Sequence, residues 1–283
     1  MRTLRDLSVD IEKKLVVNSI DDAKLDTRLL ISHVLKLDYI DYALNKNKIV
    51  SEKEYTVVMQ LVAQRLRRVP MSQIFGEKEF WGRSFKVSSA TLTPRPDSET
   101  LIKVALSTVQ DKREVLNILD LGTGTGCLML TLLCELKNAS GLAIDISKQA
   151  LEVAQDNAHN LKLMERVRFA CSDWTNNLGK NKKFNLIISN PPYIGLKEKE
   201  GLAPEVRDHE PERSLFSGPK GLDDYKKIAS QVEGFMTKDA TIILEIGYKQ
   251  ARDVKKIFLQ NGFSNIAIHQ DLAGRDRCLL IKK

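Results

Sequence analysis

The sequence predicts an α/β fold, a doubly wound and mostly parallel sheet of seven strands preceded by a small all-helical domain. Three observations support this prediction. Up to Val69 the apolar residues recur at helical spacing, and from Glu114 onward short apolar runs alternate with amphipathic stretches. Glycine or polar residues follow several of these runs. In parallel sheets, ligands bind at this position, beyond the carboxyl ends of the strands.

Two amphipathic stretches predict most of the N-terminal domain. The first, "DDAKLDTRLLISHVL", has an apolar stripe formed by Leu25, Leu29, Leu30 and Val34. The second begins with Ser51 and has Glu54 three residues later, the pattern of a capping box. Its stripe consists of Val57, Val58, Leu61, Val62 and Leu66. We therefore expect a helical domain over residues 1–70, closed by Pro70.

A change of pattern follows this domain. In "SQIFGEKEFWGRSFKVSSATLT" aromatic and polar residues alternate around Gly76 and Gly82, which predicts a β-hairpin linker over 71–93. The remaining residues, 94–283, form the predicted sheet domain. Its strands are "VLNILDLG", "GLAIDIS", "VRFACSD", "FNLIIS", "ATIILEIG" and two short final strands, with helices between them.

Composition limits the class of protein. A chain of 283 residues with 42% hydrophobic and 29% charged content is large enough for two domains, and its charged N-terminus lacks a continuous apolar segment. We expect a cytoplasmic protein without a membrane segment. The cysteines form no C-x-x-C pair and the histidines are scattered, so no metal site is predicted. The net charge of +7 is spread along the chain, and a solvated surface explains it as well as a nucleic-acid-binding patch.

A glycine-rich turn, "DLGTGTGC", follows the first strand of the predicted sheet and opens a helix. Glycines at the first two positions allow a tight turn close to a ligand, and Gly126 would let the helix pack close to the sheet. The spacing is G-x-G-x-G, whereas a nicotinamide site requires G-x-G-x-x-G or Ala at the sixth position, which is Cys127 here. This favours S-adenosylmethionine, which has no pyrophosphate. The predicted cofactor-binding turn is Gly122, Thr123, Gly124, Thr125 and Gly126.

Acidic residues end the next two strands. Asp145 lies 21 residues beyond Gly124, where its carboxylate can accept hydrogen bonds from both ribose hydroxyls. The alternative is an N-cap for the next helix, but Ser147 fits that role better. Asp173 and Trp174 end the third strand, and we expect them to bind adenine by hydrogen bonding and stacking.

The fourth strand ends in "NPPY", which consists of Asn190, Pro191, Pro192 and Tyr193. Methylation of a planar nitrogen requires that the nitrogen be held and aimed, because its lone pair is delocalised. The Asn190 side-chain oxygen and the Pro191 carbonyl can accept both N–H groups, and the prolines stiffen this clamp. Tyr193 would pack flat on the planar group of the substrate.

These motifs together resemble a known family. "NPPY" downstream of "DLGTGTG" is similar to the class I S-adenosylmethionine-dependent N-methyltransferases, which act on adenine, cytosine or glutamine amides. The segments "GEKEFWGRSFKV", "TPRPDSETL", "EVRDHEPERSL", "GLDDYKKI", "LEIGYKQ" and "DLAGRDR" resemble one branch, the release-factor glutamine methyltransferases (HemK/PrmC). The resemblance extends from Gly76 to Arg277, and the N-terminal segment matches only in size and position. His209 departs from the pattern, which has an aromatic residue such as Tyr before Glu-Pro.

The resemblance implies a Rossmann-like methyltransferase sheet that transfers a methyl group from S-adenosylmethionine to the glutamine of the Gly-Gly-Gln motif in class I release factors. It also implies that Asn190 contacts the cofactor as well as the substrate. The helical domain would recognise the protein partner, and direct nucleic-acid binding is not expected. Two alternatives remain, a DNA or RNA adenine or cytosine methyltransferase and a non-catalytic scaffold. No base-reading insertion or basic-aromatic run supports the first, and the intact motifs oppose the second.

Overall fold

The computed structural model of the chain describes residues 2–179 and 181–282. These residues divide into two compact units, which we call the helical unit and the sheet unit. The helical unit consists of residues up to Gly76 together with 204–209. The sheet unit consists of 77–203 together with the residues from Glu210 onward. The predicted division, at residues 70 and 93, did not include the later segment in the helical unit.

The helices and strands, in chain order, have the following bounds. The helices are α1 (Leu4–Val17), α2 (Ala23–Leu35), α3 (Tyr39–Leu44), α4 (Glu52–Leu66), α5 (Met71–Phe75), α6 (Glu99–Thr108), α7 (Cys127–Glu135), α8 (Lys148–Asn160), α9 (Pro204–Arg207), α10 (Glu212–Leu215), α11 (Asp223–Gln231) and α12 (Ala251–Gln260). The strands are β1 (Arg2–Thr3), β2 (Ile49–Val50), β3 (Glu77–Phe80), β4 (Arg83–Lys86), β5 (Asn117–Leu121), β6 (Ser140–Asp145), β7 (Val167–Cys171), β8 (Phe184–Ser189), β9 (Met236–Glu245), β10 (Asn265–Gln270) and β11 (Asp276–Lys282). None of the helices in the described part of the chain is long and apolar enough to cross a membrane.

The N-terminal segment is helical, as predicted, and most residues of the two predicted stripes pack in its apolar core. Leu25 and Val57, both placed in the predicted stripes, are exposed. The buried face of α2 includes the polar residue Asp26 because its carboxylate pairs with the buried Arg65 of α4. Apolar spacing alone does not reveal a buried ion pair. The predicted capping box at the start of α4 is present.

The helical unit ends later than the predicted boundary. Pro70 does not close it, because α5 begins directly after this residue and ends at Phe75. A proline is compatible with a helix start, since the first turn needs no hydrogen bond from its nitrogen. The hairpin β3–β4 follows, with Trp81 and Gly82 at positive φ in its turn.

The segment 204–209 contributes a charged partner to the helical unit. Arg65 Nε donates to Asp26 Oδ2 at 2.6 Å, and Arg65 Nη1 donates to Glu205 Oε1 at 2.8 Å. Arg68 also donates to Glu205 Oε1, at 3.2 Å. A buried guanidinium requires such partners, because an unpaired charge in the interior is strongly destabilising.

The large sheet has seven strands in the order β10-β11-β9-β8-β5-β6-β7, which confirms the predicted sheet. The five strands from β5 to β9 are parallel to their neighbours among themselves, and β11 is antiparallel to β9 and β10. Apolar cores cover both faces of the sheet. Because the register pairs Leu121 with Ser189 and Asp145 with Cys171, the carboxyl ends of the parallel strands lie at one edge.

Candidate active site

A cavity of about 930 Å³ opens at the carboxyl edge of the sheet, and the residues that line it belong to the sheet unit. Ligand pockets commonly have volumes of roughly 300–1,000 Å³, so this cavity is large enough for a nucleoside and a substrate side chain. Its lining brings together the predicted residues Gly122, Thr123, Gly124, Thr125, Asp145, Asp173, Trp174, Asn190 and Pro192. Three other predicted residues, Gly126, Pro191 and Tyr193, are not among the lining residues.

The glycine-rich turn connects β5 to α7 with backbone angles that favour glycine. Gly122 has φ +74° and Gly124 has φ +55°, and a Cβ atom added at Gly124 would have no heavy atom within 4 Å. Gly126 was expected to bring the helix close to the sheet. Instead, a Cβ atom there would lie 3.0 Å from Leu130 of the same helix and 3.3 Å from Ala154 of α8. Gly126 therefore allows two helices to approach each other.

Asp145 ends β6 beside this turn. Its Oδ2 accepts a hydrogen bond from the Gly124 N–H at 2.9 Å, and its Oδ1 accepts one from the Ser147 N–H at 2.9 Å. The Ser147 hydroxyl caps α8, as the sequence indicated, by accepting from the Ala150 N–H. Burial raises the pKa of Asp145, and these backbone hydrogen bonds oppose the rise. Each carboxylate oxygen keeps a second lone pair for a ligand.

Trp174 lies against the glycine turn. A Cβ atom at Gly122 would be 3.5 Å from the indole ring, so glycine at this position makes room for the tryptophan. The ring is fixed by its Nε1–H, which donates to Asp224 Oδ1 at 3.1 Å. Asp224 in turn accepts from the Ser217 hydroxyl at 2.8 Å, and it lines the cavity. The sequence alone does not mark Asp224 as a site residue, since an acidic residue in the first turn of a helix is common.

The tetrapeptide Asn190 to Tyr193 leaves β8 and is held by neighbouring loops. The Gln250 side-chain amide donates to the Tyr193 carbonyl at 2.9 Å. A Cβ atom at Gly221 would come within 2.0 Å of the same carbonyl oxygen, so only glycine fits there. Among the described residues the peptide bonds are not cis, so both prolines follow trans bonds. The surrounding loops, together with the proline rings, restrict the motion of this segment.

A series of side-chain hydrogen bonds lies behind the tetrapeptide, and the sequence did not predict it. Asn190 Nδ2 donates to Ser98 Oγ at 3.2 Å, and Ser98 Oγ donates to Glu245 Oε2 at 2.5 Å. The Tyr193 hydroxyl donates to Glu245 Oε1 at 3.4 Å. Glu245 is the last residue of β9 and is 1% exposed. Burial raises its pKa to about 7, while the Ser98 hydrogen bond and the charge of Arg277 oppose the rise.

The segment that contains Arg95 forms another wall of the cavity. Arg95 Nη2 donates to Glu210 Oε2 at 2.6 Å, and the Glu210 carboxylate is buried. The Thr93 N–H also bonds Glu210 at 3.4 Å. His209, the residue that departs from the family pattern, belongs to the helical unit. Its Nε2 lies 2.8 Å from the Arg67 carbonyl oxygen. Four cationic side chains, Arg95, Lys148, Arg213 and Lys227, line the cavity.

Comparison with known proteins identifies two family models in this chain. Residues 97–206 match the methyltransferase small domain, and residues 7–76 match the PrmC N-terminal domain. The release factor glutamine methyltransferase of Cereibacter sphaeroides is 39% identical over 264 residues, which cover 93% of this chain and 92% of that protein. The one from Rhodospirillum rubrum is 38% identical, with coverage of 95% and 82%.

Longer relatives also match. The bifunctional methyltransferase of Rickettsia bellii is 38% identical, and the match covers 93% of this chain but 51% of that protein. The chain thus spans about half the length of the bifunctional relatives that it matches.

Solved structures share the fold at low identity. A methyltransferase from Pyrococcus furiosus is 17% identical with a TM-score of 0.54, and the match covers 78% of this chain and 98% of that one. The hMettl16 catalytic domain in complex with a 3'UTR hairpin is 14% identical with a TM-score of 0.58, and the coverage is 89% and 90%. At these identities the likeness establishes the methyltransferase fold of the sheet.

Proposed function

Since the chain belongs to the release factor glutamine methyltransferase family, we propose that it methylates the glutamine side-chain amide in the Gly-Gly-Gln motif of class I peptide-chain release factors. The methyl donor is S-adenosylmethionine. One observation carries the proposal: a single cavity joins the glycine-rich turn, the Asp145 carboxylate and the Asn190 amide. A donor and an acceptor amide bound there would share one enclosed space.

The residues of the cavity fit S-adenosylmethionine. The space in front of Gly124 is open, so the turn forms a cradle that a side chain would partly fill. Gly122 to Gly126 would contact the donor, the free lone pairs of Asp145 would accept from the ribose hydroxyls, and Asp173 and Trp174 would bind adenine. When bound, the cofactor supplies an electrophilic methyl group on a sulfonium sulfur.

The NPPY residues would hold the substrate amide. Of these residues, Asn190 and Pro192 line the cavity. Asn190 Oδ1 and the Pro191 carbonyl would accept the two N–H groups of the glutamine, and Tyr193 would pack on the planar amide. Acceptors positioned before the substrate arrives would lower the barrier by several kcal/mol out of roughly 7 to 11 available from orientation. A glutamate side chain would leave both acceptors unpaired, which disfavours it strongly.

We assign recognition of the release factor to the helical unit, because the predicted cofactor residues all lie in the sheet unit. A glutamine on a flexible loop enters a narrow cavity without the unstacking that a duplex base requires, which costs a few kcal/mol. With release factors as substrates, the reaction takes place in the cytoplasm.

Mass spectrometry tests this proposal. A class I release factor incubated with the protein and S-adenosylmethionine should gain a single methyl group on the Gly-Gly-Gln glutamine. A release factor in which this glutamine is replaced by glutamate is the control and should gain none. Methylation of DNA or RNA beside an unmodified release factor would favour the nucleic-acid alternative.

A further inference from the structure

Ser98 connects the catalytic asparagine to a buried carboxyl group. Its Oγ lies 3.2 Å from Asn190 Nδ2 and 2.5 Å from Glu245 Oε2. Ser98 is 3% exposed and Glu245 is 1% exposed, and Ser98 also lines the cavity. Ser98 directly precedes α6, Asn190 directly follows β8, and Glu245 is the last residue of β9. The chain of hydrogen bonds is therefore built by three separate elements.

The number of protons available to these three side chains determines which of them donates in each hydrogen bond. A serine hydroxyl has one proton to donate, and an ionised carboxylate can only accept. With Glu245 ionised, the Ser98 proton points to Oε2, so Ser98 Oγ can meet Asn190 only as an acceptor. Asn190 must then present its NH₂ group to Ser98, which leaves Oδ1 for the cavity.

We propose that Ser98 and Glu245 are positioning residues that keep the Asn190 amide turned so that its oxygen, and not its nitrogen, meets the substrate amide. This inference rests on the proposed function, because the required orientation follows from a substrate that donates N–H groups. It adds two residues to the site that act through Asn190. Their contribution is to exclude the reversed amide, which differs from the correct one only by a rotation of 180° about χ2.

Protonation of Glu245 removes this constraint. A neutral carboxyl group can donate to Ser98 Oγ, and Ser98 can then donate its own proton to Asn190. Asn190 would rotate to accept through Oδ1, and its NH₂ group would enter the cavity. Two donors would then face the N–H groups of the substrate, and methyl transfer would stop. The active arrangement therefore requires ionised Glu245.

The surroundings of Glu245 place this change near neutral pH. The titratable groups that face it are Asp97, Cys127, Tyr193, Tyr225, Arg277 and Cys278. Burial raises the pKa of Glu245 to about 7, Asp97 adds to the rise, and Arg277 opposes it. Since the ionised form is the active one, methyl transfer should increase as the pH rises through about 7 and be lost below it.

Glu245→Gln tests the positioning role with little change in shape. Its amide can donate to Ser98, which permits the reversed Asn190, so we expect kcat to fall about tenfold or more while S-adenosylmethionine affinity is retained. Tyr225→Phe is the matched control. The Tyr225 hydroxyl donates to the Glu245 main-chain carbonyl at 3.0 Å, so this variant removes a buried hydrogen bond to the same residue but spares the carboxylate. It should keep kcat within about twofold.

Nuclear magnetic resonance of the Asn190 side-chain amide supplies a readout that needs no substrate. Its signal, assigned by its loss in Asn190→Ala, should shift with pH near 7 in the native protein and in Tyr225→Phe. The shift should vanish in Glu245→Gln and in Ser98→Ala, and the second variant keeps the test available if the first does not fold. An Asn190 signal that does not titrate in the native protein, or normal kcat in Glu245→Gln, would overturn the inference. If the signal titrates but the release factor gains no methyl group, the proposed function fails, whereas the control of the Asn190 orientation by Ser98 and Glu245 stands.

Discussion

The helical unit and the sheet unit use buried carboxylates in opposite ways. In the helical unit the Asp26 carboxylate forms an ion pair with Arg65, which also pairs with Glu205, so each buried charge has an opposite charge as its partner. In the sheet unit the Asp145 carboxylate accepts from the backbone N–H groups of Gly124 and Ser147, beside an open cavity. Burial raises the pKa of both aspartates. Burial of a carboxylate thus serves stability in the helical unit, whereas in the sheet unit it leaves carboxylate oxygens beside the cavity in which we propose that the cofactor binds.

The largest effect is expected from the asparagine of the sheet unit. Asn190→Ala should lower methyl transfer by about a hundredfold to a thousandfold, because a preorganised acceptor is lost from the site. Circular dichroism should show an intact fold. Asn45→Ala is the control in the helical unit, where the exposed Asn45 Nδ2 donates to the Asp41 carbonyl at 2.8 Å. Equal losses in the two variants would break the distinction between the units.

A large effect on stability is expected in the helical unit. Asp26→Ala leaves the buried Arg65 with Glu205 as its remaining partner and should destabilise this unit by about 3 kcal/mol. Hydrogen exchange of α2 and α4, followed by mass spectrometry, measures the loss locally. Affinity for S-adenosylmethionine should stay unchanged in calorimetry, and a tenfold loss of affinity would show that the two units are energetically linked.

Substitution of the buried aspartate in the sheet unit should instead weaken cofactor binding and leave the stability of the helical unit unchanged. Asp145→Ala should weaken S-adenosylmethionine binding by about tenfold or more, since charge-assisted contacts to the ribose are lost. Calorimetry measures the change, and hydrogen exchange in α2 should remain as in the native protein. Tighter binding of NADH than of S-adenosylmethionine by the native protein would contradict the cofactor assignment.

The smallest effect concerns the later segment of the helical unit. Glu205→Gln keeps the shape but removes the charge that pairs with Arg65 and Arg68, and we expect a loss of about 1 kcal/mol. Faster hydrogen exchange over 204–209 would confirm that these contacts hold the segment. Glu165→Gln, a change of the same type at an exposed residue of the sheet unit, should leave that exchange unaltered.

The sequence predicted those parts of the site that depend on local patterns. The glycine turn and Asn190 directly follow their strands and Asp145 is the last residue of its strand, so the parallel sheet brings them to one edge. Ser98 and Glu245 could not be found in this way. They lie far apart in the sequence, and Glu245 ends an apolar strand, where a polar residue ordinarily marks only the end of the sheet.

The sequence predicted that the N-terminal unit is helical, but not all of the residues that its helices bury. Helical periodicity located α2 and α4, but it placed Leu25 and Val57 inside because it ranks residues by hydropathy alone. The buried pair of Asp26 and Arg65 links positions that are 39 residues apart, and no local pattern identifies such a partner. The same reason explains why residues 204–209 were assigned to the sheet domain.

The discontinuity of the helical unit has a consequence for its biosynthesis. Ribosomes make the chain from the N-terminus, so α1 to α5 emerge well before Glu205 and His209. Until then the Arg65 guanidinium has Asp26 but lacks its second carboxylate, and the Gln73 amide lacks the His209 carbonyl that accepts from it. Domains generally fold in the order of synthesis, but this one can be completed only after strands β5 to β8 of the other unit have also been made. Nascent chains arrested before and after this segment should therefore differ in the protease resistance of their first residues.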